Sequence, residues 1–366
     1  MTRVLFLIHD LGCGGAEKVL VNLVNNMDPT QFEITLVALF GGGVNEQFLR
    51  GHIRYRAVFS GNIPGNSHIM KLLTPRQLHR LCVREPYDIE ISYLEGPSAR
   101  VVSGCRTKGT KLVCWIHSSP AGSAEAAAAF RSEREMRACY GRFDQIVSVS
   151  EAVRTAFARA SGGLDSVVLY NTNESDQIRR LGRAGTSARP ACRFCLAGVG
   201  KLVRVKGFDR LLRVQKRLVE DGLDVHLMLL GSGPEEQALR AQAAESGLAE
   251  RVHFLGYQKN PYPYLSQCDL FVCSSHSEGF STAATEALIL GVPVGTTDVA
   301  GMREMLGQSE YGLITENSDN GLYDGLRRLM DDPALLAHYR QQAAERGRLF
   351  ETEQTVRAVE QMLKSL

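Results

Sequence analysis

No stretch of this 366-residue chain is apolar for the roughly 20 consecutive residues that a membrane-spanning helix needs. The net charge is only +2 at pH 7. A general nucleic-acid binder, which depends on neutralising many phosphates, is therefore not expected. The nine cysteines follow no pairing pattern: Cys192 and Cys195 form a lone C-x-x-C without a second pair or a nearby histidine, so no zinc site is read here. The start, Met1 to Ile8, is too short for a secretory leader and reads as a strand. Reduced thiols and a cytoplasmic location are expected. The dinucleotide fingerprint is missing as well. Gly12-Cys13-Gly14-Gly15 is not G-x-G-x-x-G, and no clear ribose-binding acid stands about 20 residues further on.

What is present is an ordinary soluble composition, 44% hydrophobic and 22% charged, with 35 glycines that suit many tight strand-to-helix turns. The length exceeds what one core usually holds, which argues for two domains. Charge is uneven: residues 51–142 carry 14 Lys and Arg against 7 Asp and Glu, or +7. Within them, Met70-Lys71-Leu72-Leu73 through Arg76, Leu78, His79, Arg80, Leu81 and Arg84 reads as a basic amphipathic face suited to an anionic membrane surface.

Short continuously apolar runs alternate with helical patterns. The first series is Val4–Ile8, Ile34–Leu39, Ile89–Tyr93, Lys111–His117 and Gln145–Ser150. The second is Phe194–Val199, Val225–Leu230, Val252–Leu255, Leu270–Ser274 and Val292–Thr296. Strands apolar on both faces and separated by helices give parallel sheets. The stretch from Gly182 to Pro190 lacks apolar periodicity and reads as a linker. We therefore expect an α/β protein of two Rossmann-like parallel-sheet domains facing a cleft, at 1–178 and 190–345. Residues 346–366 form a terminal helix suited to packing back on the first domain.

The densest chemical signal is Ser274-Ser275-His276-Ser277-Glu278-Gly279-Phe280-Ser281-Thr282 with Glu286 beyond it. A buried strand ends, a glycine turn follows, and a helix starts near Ser281 or Thr282. Free N–H groups and the helix dipole favour a phosphate at such an edge. Glu278 and Glu286 bracket that start, spaced for a sugar hydroxyl and a ribose on either side of a diphosphate. In the second domain's first loop, Gly200, Lys201, Arg204 and Lys206 place three cations within six residues, enough to neutralise a leaving diphosphate. Gly14 and Gly15 let the backbone approach a ligand after the first strand. His117 ends a buried strand, and Gly231, Gly256 and Tyr257 end others at the same edge, where the backbone can read a base.

In this order, the Gly14-Gly15 pair, the Gly200–Gly207 block and the Glu278-Gly279-Phe280 to Glu286 block resemble glycosyltransferase family 4, the retaining enzymes of GT-B architecture. The resemblance covers nearly the whole chain. It implies that Lys201 and Lys206 bind the donor diphosphate, that Glu278 faces the donor sugar, that Glu286 binds the ribose and that His117 lies near the transferred sugar. Glu278, His117 and Lys206 are thus the expected catalytic residues. Gly14, Gly15, Gly200, Lys201, Lys206, Gly231, Gly256, Tyr257, Gly279, Phe280, Ser281, Thr282 and Glu286 are the expected donor-binding set. No metal and no cofactor are implied beyond the nucleotide-sugar co-substrate, with a UDP-sugar favoured over a GDP-sugar. Where the family usually has arginine this chain has Lys201, which cannot form a bidentate fork on phosphate. The Gly14-Gly15-Ala16-Glu17 form resembles members that build bacterial surface polysaccharides such as capsule, often on polyprenyl-linked acceptors. A nucleotide-sugar epimerase of the same architecture is the main alternative. A phosphorylase-like enzyme and a non-catalytic subunit are weaker ones.

Overall fold

The computed structural model describes residues 1–61, 70–184 and 189–366. The middle of the expected linker, 185–188, lies outside them. The chain divides into two compact units, residues 1–173 with 352–366, and residues 174–351.

The first unit holds seven strands: β1 (Thr2–Ile8), β2 (Phe32–Phe40), β3 (Arg54–Phe59), β4 (Ile89–Ser92), β5 (Lys111–Ile116), β6 (Gln145–Ser148) and β7 (Val167–Val168). They pair in the order β3-β2-β1-β4-β5-β6-β7, every pair parallel. The second unit holds six: β8 (Phe194–Val199), β9 (Val225–Leu230), β10 (Val252–Gly256), β11 (Leu270–Cys273), β12 (Val294–Thr297) and β13 (Leu313–Thr315). Their order is β10-β9-β8-β11-β12-β13, again all parallel. Each sheet thus reverses its winding once, between β1 and β4 and between β8 and β11. Open α/β sheets bind ligands outside the carboxyl ends of the strands at such a reversal.

Val4 to Ile8 of β1 and the whole of β8 are apolar because both faces are covered. Val4 to Ile8 and Leu196 and Ala197 have no exposed surface. The second core gathers Leu196, Leu227, Leu229, Leu270 and Val272 from strands with Leu211, Leu218, Leu322, Leu326 and Leu329 from helices Phe208–Glu220 and Asp319–Asp331. Each such leucine contributes about 1.5–3 kcal/mol by leaving water. Three strands escaped the sequence reading, β3, β7 and β13, and all three lie at sheet edges. An edge strand is half exposed, so its apolar run is broken, as in Arg54-Tyr55-Arg56.

The division falls after Asn173 rather than inside 182–190. Helix Ser175–Arg183 packs in the second unit, where Ser266 Oγ donates to the Gly182 carbonyl at 3.0 Å. The C-terminal segment forms two helices, Pro333–Arg346 and Thr352–Lys364. The second belongs to the first unit: Val356, Val359 and Leu363 are buried, Thr352 Oγ1 donates to the Asn173 carbonyl at 2.8 Å, and Glu360 Oε1 accepts from the Asp28 N–H at 2.7 Å. The Ala124–Ala129 run is helical only over Ser123–Ala126. No helix among the described residues is long and apolar enough to cross a membrane.

Candidate active site

The second sheet's carboxyl edge is assembled by backbone contacts that leave little room. The Gly231 N–H donates to the Gly256 carbonyl at 2.8 Å, joining the ends of β9 and β10. A Cβ on Gly231 would sit 1.8 Å from the Gly200 carbonyl oxygen, and its φ is +141°, so only glycine lets the ends of β9 and β8 meet there. From Gly200 the chain runs through exposed Lys201 to a single 3₁₀ turn, Arg204–Lys206, and into helix Phe208–Glu220. The Ser274 hydroxyl, just past β11, donates to the Lys206 carbonyl at 3.1 Å. The two loops that flank the winding reversal are thereby bonded to each other.

Lys206 and Glu278 meet across that junction, Nζ to Oε1 at 2.6 Å, with the carboxylate 9% exposed. Ser275 Oγ donates to the same oxygen at 2.6 Å, and the Cys273 thiol lies 3.9 Å from it. Among the described residues nothing occupies Oε2, so Glu278 is held by one oxygen and offers the other. Burial, then the Glu278 charge, push Cys273 up from the ordinary thiol range, so it stands there as a thiol and not as a thiolate nucleophile.

Helix Thr282–Ile289 begins beside this pair. Ser281 caps it, its hydroxyl accepting from the Ala284 N–H at 3.3 Å. Glu286, one turn in, is only 3% exposed, and Tyr262 O–H donates to its Oε1 at 3.2 Å. Phe280 is turned inward, edge-on to Phe350 with centroids 5.9 Å apart, so its ring is not presented to a ligand. Tyr257, at the end of β10, is 44% exposed and free to stack. A network braces the Glu278 loop from the other side: Arg210 Nη2 donates to His276 Nδ1 at 3.0 Å and Nη1 to Asn317 Oδ1 at 2.6 Å.

The structure thus brings Gly200, Lys206, Gly231, Gly256, Glu278, Gly279, Ser281 and Glu286 to one edge of one sheet. Lys201 lies in the same loop, exposed and with no partner among the described residues. Sequence reasoning passed over Tyr262 and Arg210, and gave Ser275 and His276 no role of their own within the strand-end motif. Their signal was positional only, since hydroxyls and an arginine near strand ends are ordinary until the partner is seen.

Gly14, Gly15 and His117 lie in the first unit, at the carboxyl edge of its sheet. Gly14 caps helix Gly15–Asn26 after β1. His117 follows β5, and its N–H donates to Glu95 Oε2 at 2.9 Å. Its ring lies 5.1 Å from that of Tyr93, and its buried Nε2 has no partner among the described residues. Burial, outweighing the pull of Glu95, takes this imidazole down to about 4.

Comparison with known proteins agrees with this geometry. The family model "Glycosyltransferase Family 4" matches residues 13–172, and "Glycosyl transferases group 1" matches residues 189–348. A Campylobacter jejuni N-acetylgalactosamine-N,N'-diacetylbacillosaminyl-diphospho-undecaprenol 4-alpha-N-acetylgalactosaminyltransferase is 26% identical over 96% of each chain. The lipopolysaccharide core biosynthesis glycosyltransferase LpsD of Rhizobium meliloti is 26% identical over 88% of this chain and 86% of its own. Among solved structures, Anabaena HepE in complex with UDP superposes with a TM-score of 0.77 at 20% identity over the whole of both chains. Sucrose-phosphate synthase of Thermosynechococcus elongatus does so with 0.82 at 18%, over 100% of this chain and 99% of that one. The fold is that of the GT-B glycosyltransferases, and the epimerase alternative gains no support from these likenesses. The two family models together span most of the sequence and both sheet edges described above, and on that ground the chain belongs to glycosyltransferase family 4 and is a glycosyltransferase.

Proposed function

We propose that this enzyme moves a sugar, with retention of anomeric configuration, from a UDP-sugar to a glycan or polyprenyl-linked acceptor in bacterial surface-polysaccharide synthesis. The observation that carries the donor site is the Lys206–Glu278 pair beside the Ser281-capped helix start. Lys206, with Lys201, neutralises the departing diphosphate, and the helix N–H groups add to it. Two lysines supply the charge that a divalent cation otherwise would, so no metal and no cofactor enter this step. Glu278, steadied through Oε1, accepts from a sugar hydroxyl at Oε2. Glu286, oriented by Tyr262, accepts from the ribose. The backbone at Gly231 and Gly256 and the ring of Tyr257 face the base. His117 and the Gly14-Gly15 turn are the first unit's candidates for substrate contact, His117 because its Nε2 is unpaired.

The Campylobacter relative, whose name gives a diphospho-undecaprenol-linked acceptor, supports a lipid-linked acceptor here. A peripheral membrane location accords with that. On helix Pro75–Cys82, Leu78 and Cys82 face inward while Arg76, Arg80 and Leu81 are exposed, as are Arg84 just after it and Leu72 just before it, the latter 79% exposed. Sedimentation with anionic liposomes at low and high salt tests the membrane assignment, and absence of binding at low salt removes it.

The donor assignment is tested by thermal shift with UDP, GDP and their sugars, followed by product analysis in the presence of EDTA. Stabilisation by UDP species and an unchanged rate with EDTA are expected. Failure of every nucleotide to stabilise the protein would refute the donor site.

A further inference from the structure

The first unit contains a second cluster of chemistry-bearing side chains that the transfer reaction does not use. His79 on helix Pro75–Cys82, Glu90 on the central strand β4 and Cys105 in the turn after helix Pro97–Val102 converge in the interior. His79 Nε2 lies 2.8 Å from Glu90 Oε2, and the Cys105 thiol lies 3.4 Å from Glu90 Oε1. The three donor atoms all fall within 4.8 Å of one another. Glu90 has no exposed surface and Cys105 has 2%.

A carboxylate in the middle of a parallel sheet, between Leu5 and Leu112 on the neighbouring strands, is costly unless its charge is met. His79 can meet it alone when protonated. The thiol is not needed for that, yet it is aimed at the same carboxylate. The approach is made possible by Gly104: a Cβ there would sit 2.0 Å from the Pro75 carbonyl oxygen and 2.9 Å from the His79 Cβ. Helix Pro75–Cys82 therefore lies directly on the turn that presents Cys105.

We infer that His79, Glu90 and Cys105 form a structural site for a thiophilic divalent cation, with Zn2+ the best match. Imidazole, carboxylate and thiolate are all zinc ligands, and bond lengths of about 2.0–2.3 Å in a tetrahedral shell set donors about 3.3–3.8 Å apart. The separation of Cys105 from Glu90 Oε1 is already in that range, whereas His79 contacts the other carboxylate oxygen, Oε2, and turns from it toward the ion on binding. One thiolate and one carboxylate balance the charge of the ion, and the protons of the imidazole–carboxylate pair and of the thiol leave to solvent on binding. A water completes the shell. The ion would rivet to the sheet the helix that carries Arg76, Arg80 and Leu81, and takes no part in sugar transfer.

The sequence offers no metal spacing here, because the three ligands come from a helix, a strand and a turn. The test uses the whole chain, reduced and stripped with chelator, and Co2+ as a spectroscopic probe. One equivalent should produce a thiolate-to-cobalt charge-transfer band, and Zn2+ in excess should raise Tm by about 3–5 °C. Cys105→Ser should abolish the band, whereas Cys195→Ser, which alters a buried thiol of the second unit, should keep it. A wild-type protein that gives no band, or a band that survives Cys105→Ser, overturns the assignment. Absence of the band from the wild type overturns the assignment even where a variant folds poorly.

Discussion

Lys206 and Glu278, 72 residues apart in sequence, are joined Nζ to Oε1 at 2.6 Å, from the loops on either side of the point where the second sheet reverses its winding. On the proposed function, this relationship lets a lysine and a glutamate serve one sugar diphosphate. In the proposed donor site the cation steadies the acid and lies where the diphosphate's charge is to be met. Lys206→Met and Glu278→Gln should each lower kcat by about 10²–10³ with the fold intact, the scale seen when one preorganised charge-stabilising group is removed. Initial rates of nucleotide release check this, beside circular dichroism. Because the two residues touch, the double variant should lose less than the sum of the two barriers. Strict additivity would show that they act separately.

Glu286 and Tyr262 give a second, milder expectation. Tyr262→Phe removes one hydrogen bond to a buried carboxylate, worth about 1 kcal/mol, so nucleotide affinity should fall by roughly fivefold. Glu286→Ala should cost far more, since the ribose then loses its acceptor. Calorimetric titration with UDP reads both. Equal binding by Glu286→Ala and wild type would move the ribose elsewhere.

Gly231→Ala places a methyl group 1.8 Å from the Gly200 carbonyl oxygen at a φ of +141°. The ends of β8 and β9 must then separate. We expect a loss of about 1–3 kcal/mol in stability, from strain alone, together with weakened nucleotide binding. The contrast with Gly222→Ala is informative. Gly222 also has a positive φ, +86°, but open space at its Cβ. That variant should be destabilised without losing nucleotide affinity.

His117 predicts a pH dependence. The unfolded imidazole takes its proton near 6.5 and the folded one near 4. Between those values the unfolded chain binds more protons, so the contribution is complete above about 6.5 and is lost as pH falls towards 4. His117→Asn should flatten this part of the Tm profile between pH 4 and 7. It should also lower kcat if Nε2 meets substrate. Identical acid profiles for both proteins would contradict the assignment of a neutral buried ring.

The parallel central strands, the two-domain plan, the helix start at Ser281 and the acids Glu278 and Glu286 were all legible from local pattern. Buried strands are apolar runs, caps are hydroxyls before helices, and both signals lie within a dozen consecutive residues. Strands β3, β7 and β13 were not legible, because edge positions break the apolar run. Nor was the division after Asn173, because helix Ser175–Arg183 chooses its unit through contacts such as that of Gly182 with Ser266.

What the chain order alone determined is the type of fold, since hydrophobic period and turn residues are local properties; the class of chemistry followed from the motifs that resemble a known family. Tertiary structure decided which side chains touch one another. The meeting of Lys206 with Glu278, of Tyr262 with Glu286, and of His79 with Glu90 and Cys105 depends on the order in which strands pair. That order is set by packing across the sheets, where residues tens of positions apart compete for the same few ångströms, and no window of sequence contains it.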